Sequence, residues 1–106
     1  MAKRKIIWSE FAYKDMDSIL DYTVNSAQGK VETIFKKIMT RIRSLENHAE
    51  IGRIIPELEI MNITIFREII EPPWRIFYRY DKDFVYILAV FDGRRDLSEI
   101  ILRRLL

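Results

Sequence analysis

The strongest constraint in this sequence is a change in the spacing of its apolar residues partway along the chain. From position 31 to position 45 they recur mostly at alternating steps of three and one, which places them on one face of a helix. These residues are Val31, Ile34, Phe35, Ile38, Met39, Ile42 and Leu45. From Ile63 to Phe91 the period becomes two, which is typical of β-strands. The pattern therefore predicts a chain that is helical first and mainly sheet afterwards.

The whole pattern predicts seven elements in the order β-α-α-β-β-β-α. A strand at residues 3–8 precedes a helix capped by Ser9, and a break at residues 25–29 separates this helix from the next. Residues 47–62 are expected to form an ordered loop. The later strands and the last helix are predicted at Ile63–Ile70, Trp74–Tyr80, Phe84–Phe91 and Leu97–Leu106. We expect an α+β fold: an antiparallel sheet of about four strands, an N-terminal αα-hairpin packed on it, and a short C-terminal helix.

Composition excludes several classes of function. The chain has 106 residues, of which 49% are hydrophobic and 32% charged, and we expect residues 1–106 to form one domain. There is no cysteine and one histidine, so we expect neither a disulfide nor a metal or cofactor. No apolar run approaches the roughly 18 residues of a membrane helix, and Ser9 and Glu10 interrupt the only signal-like start. A cytoplasmic protein with no membrane partner is predicted.

Arginines are concentrated in the predicted sheet. The formal net charge is only +2, yet eight of the eleven arginines follow residue 50. In the strand 74–80, Trp74, Ile76, Tyr78 and Tyr80 alternate with Arg75, Phe77 and Arg79. The first set suits the face under the helices, and the second set suits an open face. Arg67 joins that open face if the hairpin register is even.

Arg94 and Arg95 follow the last strand directly and are expected at the rim of the sheet. Five arginines on one side would form an anion-binding site, because guanidinium groups grip phosphates and carboxylates in bidentate fashion. The alternative is that these arginines pair with carboxylates on a solvated face. The candidate partners are Glu68, Glu71, Asp92 and Asp96.

Four segments in the second half of the chain resemble the ParE/RelE superfamily of toxins from bacterial type II toxin–antitoxin systems. They are GRIIPEL at 52–58, FREI at 66–69, WRIFY at 74–78 and VYILAVFDGRRDL at 85–97. The resemblance is greatest to the ParE-like plasmid-stabilisation branch. The predicted order of elements also agrees with this superfamily, so the likeness extends over nearly the whole chain.

The resemblance implies a toxin that a cognate antitoxin neutralises, in a toxin–antitoxin hetero-oligomer. RelE-like members cleave mRNA in the ribosomal A site, whereas ParE-like members poison DNA gyrase. By position, Glu57 matches the acid of the family's Pro-Glu turn. The sheet arginines of the family correspond to Arg67 and Arg75, and its terminal pair to Arg94 and Arg95. One position departs from the pattern, because Asp92 stands where many relatives carry histidine.

This departure bears on whether the chain is an enzyme. RNA cleavage needs a base, a cation for the phosphorane and an acid for the leaving oxygen. Glu57 is the candidate base, and Arg67 and Arg75 are the candidate cations. Asp92 is a poor acid at neutral pH because aspartate normally has a pKa near 3.9. We therefore predict a non-catalytic toxin that binds gyrase, with a metal-independent, ribosome-dependent endoribonuclease as the alternative.

Two sets of residues are predicted to contact other macromolecules. The set expected to bind gyrase, or RNA on the ribosome, is Arg67, Arg75, Phe77, Arg79, Arg94 and Arg95. The last predicted helix is too apolar to remain fully exposed, so it packs on the sheet edge or is covered by a partner. Its candidate antitoxin contacts are Ile100, Ile101 and Leu105.

Overall fold

The computed structural model describes residues 3–25 and 30–106, which form five strands, four α-helices and one 3-10 turn. The predicted break between the first two helices falls mainly on residues 26–29, outside the described part. The strands are β1 (Lys5–Trp8), β2 (Arg53–Ile54), β3 (Arg67–Glu71), β4 (Trp74–Tyr80) and β5 (Phe84–Asp92). The helices are α1 (Glu10–Asn25), α2 (Val31–Ser44), α3 (Pro56–Glu59) and α4 (Ser98–Leu105), and the 3-10 turn is Ala49–Ile51.

The strands form one mixed sheet in the order β1-β5-β4-β3-β2. β1 runs parallel to β5, and the other neighbours are antiparallel. The α+β class, the helical hairpin and the short last helix are confirmed. Two details differ from the expected antiparallel sheet of about four strands. The two residues of β2 lie in the predicted loop and are too few to show a period, and apolar spacing does not specify the direction of β1.

The helical hairpin of α1 and α2 covers one face of the sheet. Ile38 and Ile42 of α2 are buried there, as the helical spacing predicts. The predicted inward set of β4 lies under the hairpin, with Ile76 and Tyr78 inaccessible to solvent and Trp74 and Tyr80 packed beside them. The alternation of β4 is therefore confirmed on this face.

The long strand β5 contains a β-bulge. Tyr78 pairs with Ile87, but its neighbour Phe77 pairs with Ala89, which leaves Leu88 as an extra residue. The bulge reverses the alternation. Val85 and Ile87 face the hairpin side before it, whereas Ala89 and Phe91 face the other side after it and Val90 faces the hairpin side. A central strand covered on both faces is what the uninterrupted apolar run predicts.

A second, smaller core lies on the sheet face opposite the hairpin. Short helix α3 and the C-terminal α4 cover this face. Its buried residues are Ile55, Leu58, Phe66, Phe77, Ala89, Phe91, Leu97 and Ile101. None of the helices within residues 3–25 and 30–106 is long and apolar enough to cross a membrane.

The bulge also provides the attachment point for α4. The Arg104 guanidinium donates hydrogen bonds to both carboxylate oxygens of Asp15, at 2.8 and 3.3 Å, and to the carbonyl oxygen of Leu88 at 3.2 Å. The backbone N–H of Val90 donates to the same Asp15 carboxylate at 3.0 Å. Arg104 also lies over the ring of Phe91, 5.0 Å from its centroid. This cluster holds the last helix to α1 across the edge of the sheet.

Tyr78 connects the sheet to the segment that follows α2. Its hydroxyl donates a hydrogen bond to the carbonyl oxygen of Ala49 at 2.6 Å and accepts one from the N–H of Gly52 at 2.9 Å. The side chain is fully buried. A β-carbon at Gly52 would collide with this hydroxyl, so glycine is required for the close approach. Loss of the hydroxyl would leave both backbone groups unsatisfied.

We expect Tyr78→Phe to lower the free energy of unfolding by about 1–3 kcal/mol, since buried backbone groups would lose their partners. Urea denaturation at neutral pH measures this difference. The matched control is Tyr13→Phe, whose ring is 68% exposed and whose stability should stay within about 0.5 kcal/mol of the native chain. Equal midpoints for the Tyr78→Phe and native chains would contradict the role assigned to this hydroxyl.

Candidate functional site

The five arginines predicted to share one open face do not come together. The register of β3 and β4 pairs Arg67 with Tyr78 and Ile70 with Arg75. Directly paired residues share a face, so Arg67 lies on the hairpin side of the sheet and Arg75 on the other. The placement expected for Arg67 was therefore wrong. Its guanidinium instead donates a hydrogen bond to the carbonyl oxygen of Gly52 at 2.7 Å.

Arg75 lies at the centre of an ion-pair network. Its two terminal nitrogens each donate to one oxygen of Glu57 at 2.8 Å. Its Nε and one terminal nitrogen donate to Glu68 at 2.6 and 3.1 Å. The Glu68 side chain is inaccessible to solvent and accepts a further hydrogen bond from Nε of Arg53 at 2.7 Å. The network joins α3, β2, β3 and β4 on the face opposite the hairpin.

These contacts determine the charge state of the candidate base. The hydrogen bond from Arg75 lowers the pKa of Glu57 below its usual range, although partial burial acts in the opposite direction. The pKa of Arg75 is raised, chiefly by the same hydrogen bond with Glu57. Glu57 is therefore an ionised carboxylate with both oxygens engaged. The pairing therefore makes Glu57 a weaker base toward a substrate hydroxyl than a free glutamate.

The other two side chains expected on the open face lie in different environments. Phe77 is fully buried in the second core, where its ring makes an edge contact with Phe91 at a centroid distance of 5.5 Å. The expectation that Phe77 is exposed was wrong, because α3 and α4 cover this half of the sheet. Arg79 is exposed, and its guanidinium lies 4.4 Å from the ring centroid of Tyr86.

Arg94 and Arg95 lie at the rim of the sheet, as their position after β5 predicts. Arg94 is 74% exposed and forms a bidentate pair with Asp92, at 3.0 and 2.8 Å. The hydrogen bond from Arg94 lowers the pKa of Asp92. Arg95 is exposed and makes no ion pair among the described residues. The carboxylate that replaces the family's histidine is thus held in its ionised form.

The two rim arginines border a cavity of about 430 Å³ between α1, the end of β5 and α4. Its lining combines aromatic rings and cations with the carboxylates of Asp15 and Asp92. The principal lining residues are Tyr22, Trp74, Phe91, Arg94, Arg95 and Arg104. Two arginines of the predicted target-binding set therefore do meet at one concave surface, although the set as a whole is dispersed.

The predicted antitoxin contacts on α4 belong largely to the chain's own core. Ile101 is fully buried, and Ile100 and Leu105 are partly buried against the same core. Ile101 is not accessible to a partner in this structure, and contact of an antitoxin with Ile100, Ile101 and Leu105 stays a prediction. Of the two outcomes considered for this helix, packing on the sheet is the one observed.

An apolar groove on the helical hairpin was missed in the sequence analysis. It has a volume of about 360 Å³ and is lined by Trp8, Tyr13, Met16, Asp17, Leu20, Phe35 and Met39. Tyr13 is 68% exposed and Phe35 42% exposed. The sequence signal for this groove is the width of the apolar face of the two helices. Aromatic residues such as Tyr13 and Phe35 lie beyond the part of that face that the sheet covers.

Comparison with known proteins places this chain among the toxins of type II toxin–antitoxin systems. Residues 6–97 match the family model described as the ParE toxin of the type II toxin–antitoxin system parDE. This chain therefore belongs to the ParE toxin family, as the resemblance of its motifs predicts. No relative was found among curated protein sequences.

Two solved structures share the fold. One, described as a chromosomal ParDE toxin–antitoxin system from P. aeruginosa, has a TM-score of 0.67 at 20% identity and aligns over 85% of this chain and 96% of that one. The other, the YoeB dimer from Staphylococcus aureus, has a TM-score of 0.57 at 20% identity, with coverage of 83% and 94%. At this identity the two similarities concern the fold alone.

The Arg75 pairing predicts a specific pH dependence for Glu57→Gln. Because the pKa of Glu57 is lowered on folding, its carboxylate stabilises the fold above its ordinary pKa and loses that effect as the pH falls through the lowered value. We expect the variant to be roughly 1–2 kcal/mol less stable than the native chain at pH 7. The difference should narrow between about pH 5 and pH 3. Urea denaturation across this range measures it.

The matched control is Glu59→Gln, an exposed carboxylate in the same short helix. The free energy of unfolding of Glu59→Gln should change with pH in the same way as that of the native chain. If Glu57→Gln also ran parallel to the native chain at every pH, the ion pair would contribute nothing to stability, and the network would not hold Glu57 in place.

Proposed function

We propose that this ParE-family toxin arrests growth by binding DNA gyrase in the cytoplasm, without cleaving RNA, and that a cognate antitoxin neutralises it. The observation that carries the proposal is the bidentate pairing of Glu57 with Arg75 at 2.8 Å. The one candidate base and the principal candidate cation neutralise each other. A toxin with this arrangement acts through its surface rather than through proton transfer.

The lack of a suitable acid supports the same proposal. RNA cleavage by an internal hydroxyl needs a proton donor for the leaving oxygen. The lowered pKa of Asp92 keeps it ionised at neutral pH. His48 is the one histidine of the chain, and it immediately precedes Ala49, which packs in the hairpin-side core away from Arg75. In its ionised form Asp92 has no proton to donate to the leaving oxygen.

The rim cavity is the surface that we assign to the target. Arg94 and Arg95 are exposed there beside the aromatic rings of Trp74 and Tyr22. Arginine and aromatic residues are the types that most often dominate binding energy at protein interfaces. The Asp92 pair orients Arg94, whereas Arg95 is free to engage an acidic partner. Arg75 supports this surface from within, since its side chain packs against the backbone at Gly93.

We expect the purified chain to inhibit supercoiling by gyrase, and the double variant Arg94→Ala/Arg95→Ala to be about tenfold weaker, equivalent to about 1.4 kcal/mol of binding. Titration of the toxin into a supercoiling assay measures this. The control is Lys30→Ala/Lys36→Ala, which removes the same charge from exposed positions that do not line the cavity. Supercoiling that is unaffected by a molar excess of native toxin would overturn the proposal.

The same preparations distinguish the ribonuclease alternative. Primer extension on mRNA from translating ribosomes should show no toxin-dependent cuts. Cuts in the A site that disappear in Arg75→Ala would assign the chain to the RelE-like alternative instead.

We propose that the antitoxin covers the apolar groove of the helical hairpin with an amphipathic helix. The groove is open and nearly all apolar, which is the surface that a helix in a groove requires. Exposed cations of α2 such as Lys36 give the same helix a positive charge that suits an acidic partner. The similar structure from P. aeruginosa comes from a toxin–antitoxin system, which supports a partner of this kind.

We expect Phe35→Asp to weaken antitoxin binding by about 100-fold, because a buried hot-spot aromatic commonly contributes 2 kcal/mol or more. Isothermal titration calorimetry with the antitoxin encoded beside this gene measures the change. The control is Tyr22→Asp, which places the same charge at an exposed aromatic outside the groove. Native affinity of the Phe35→Asp chain would remove the groove from the interface.

A further inference from the structure

A cluster of cations lies at the end of the sheet where β1 begins and β4 turns into β5. We call this cluster the basic corner, and its members are Lys3, Arg4, Lys5, Arg79 and Lys82. The backbone brings these segments together: the N–H of Lys5 donates to the carbonyl oxygen of Asp83 at 3.0 Å. The Arg4 side chain donates to the carbonyl oxygen of Asp81 at 2.7 Å. Neither the gyrase surface nor the antitoxin groove includes these residues.

The cations of the basic corner are not held in direct ion pairs within the described part of the chain. Elsewhere, Arg53, Arg75, Arg94 and Arg104 are each ion-paired. No member of the basic corner forms an ion pair among residues 3–25 and 30–106. Of the two acids that flank Lys82, Asp81 accepts hydrogen bonds from the N–H groups of the turn and from the Tyr86 hydroxyl, and Asp83 forms no ion pair within the described ranges. The positive charge at this end is therefore available to an external anion.

Two of the guanidinium groups are held in place by aromatic rings. Arg4 lies 5.0 Å from the ring centroid of Tyr80, and Arg79 lies 4.4 Å from that of Tyr86. Cation–π contacts restrict a long side chain without consuming its hydrogen-bond donors. A guanidinium that is already oriented loses less entropy on binding an oxyanion.

The charge of the corner is large relative to that of the whole protein. Its five cations face three carboxylates at the same end of the sheet, Glu46, Asp81 and Asp83, which leaves +2. This equals the formal net charge of the complete chain, which is also +2. The remaining surface is therefore neutral on balance, and the corner is a localised positive patch.

We propose that the basic corner binds the phosphate backbone of double-stranded DNA without reading its sequence. Phosphate contacts of this kind need exposed Lys and Arg side chains on a surface that the duplex can approach, and they need no pocket. The cavities described above are lined by other residues. Hot spots at protein interfaces are commonly packed and desolvated, so a surface of exposed, hydrated cations favours a phosphate backbone over a protein partner.

The test is fluorescence anisotropy of a short labelled duplex of mixed sequence, titrated with the purified full-length chain at several NaCl concentrations. Each phosphate contact contributes about −0.9 to the slope of log Kobs against log salt. We expect a slope of about −3 to −4 for the native chain. In Arg79→Ala/Lys82→Ala the affinity should fall at least ~10-fold, and the slope should become shallower by about 2.

The matched control is Lys36→Ala/Lys37→Ala, which lowers the net charge equally but lies on α2, with Lys37 close to the opposite, Glu71–Pro73 end of the sheet. It should keep most of the affinity and nearly the native slope. An equal loss in both variants would overturn the proposal, because binding would then depend on net charge alone. Tighter binding of labelled poly-glutamate than of DNA would overturn it in favour of an acidic protein. The assay contains no gyrase, so its outcome is independent of the proposed target.

Discussion

One guanidinium organises the functional half of this toxin. Arg75 crosses from the middle strand of the sheet to a buried carboxylate on the neighbouring strand and a second carboxylate on α3. Loss of Arg75 would leave the buried Glu68 paired only with the exposed Arg53, which is destabilising, so the fold of this region depends in large part on Arg75. The same contact occupies the carboxylate that a ribonuclease would need. Arg75 therefore stabilises the fold and, by pairing with Glu57, also bears on the proposed function.

Regular apolar spacing was a reliable guide to the larger elements. The stripe of α2, the alternation of β4 and the doubly covered strand β5 follow directly from it. Short elements were not predictable in this way, because β2 and α3 contain two and four residues, which is less than the length over which a period becomes visible. The bulge at Leu88 is similarly invisible, since an apolar run looks the same with or without an extra residue.

The site was harder to predict than the fold because its geometry depends on single-residue details. One step of register in the β3–β4 hairpin decides whether Arg67 shares a face with Arg75, and the observed pairing of Arg67 with Tyr78 separates them. Pairing of charges is also non-local. Glu57 and Arg75 lie eighteen positions apart, and only the packing of α3 against the sheet brings them within 2.8 Å. The rim pair Arg94 and Arg95 was predictable because both follow a strand end directly.

The bulge in β5 has a consequence for any molecule that competes with the last helix for its place on the sheet. Lifting α4 away withdraws a cation from Asp15 and exposes the carbonyl of Leu88 together with an apolar surface. A displacing segment with apolar side chains alone would leave the Asp15 carboxylate without its ion-pair partner. A ligand that displaces α4 therefore needs a positive group at the position of Arg104. The bulge in this way restricts which ligands can replace the C-terminal helix.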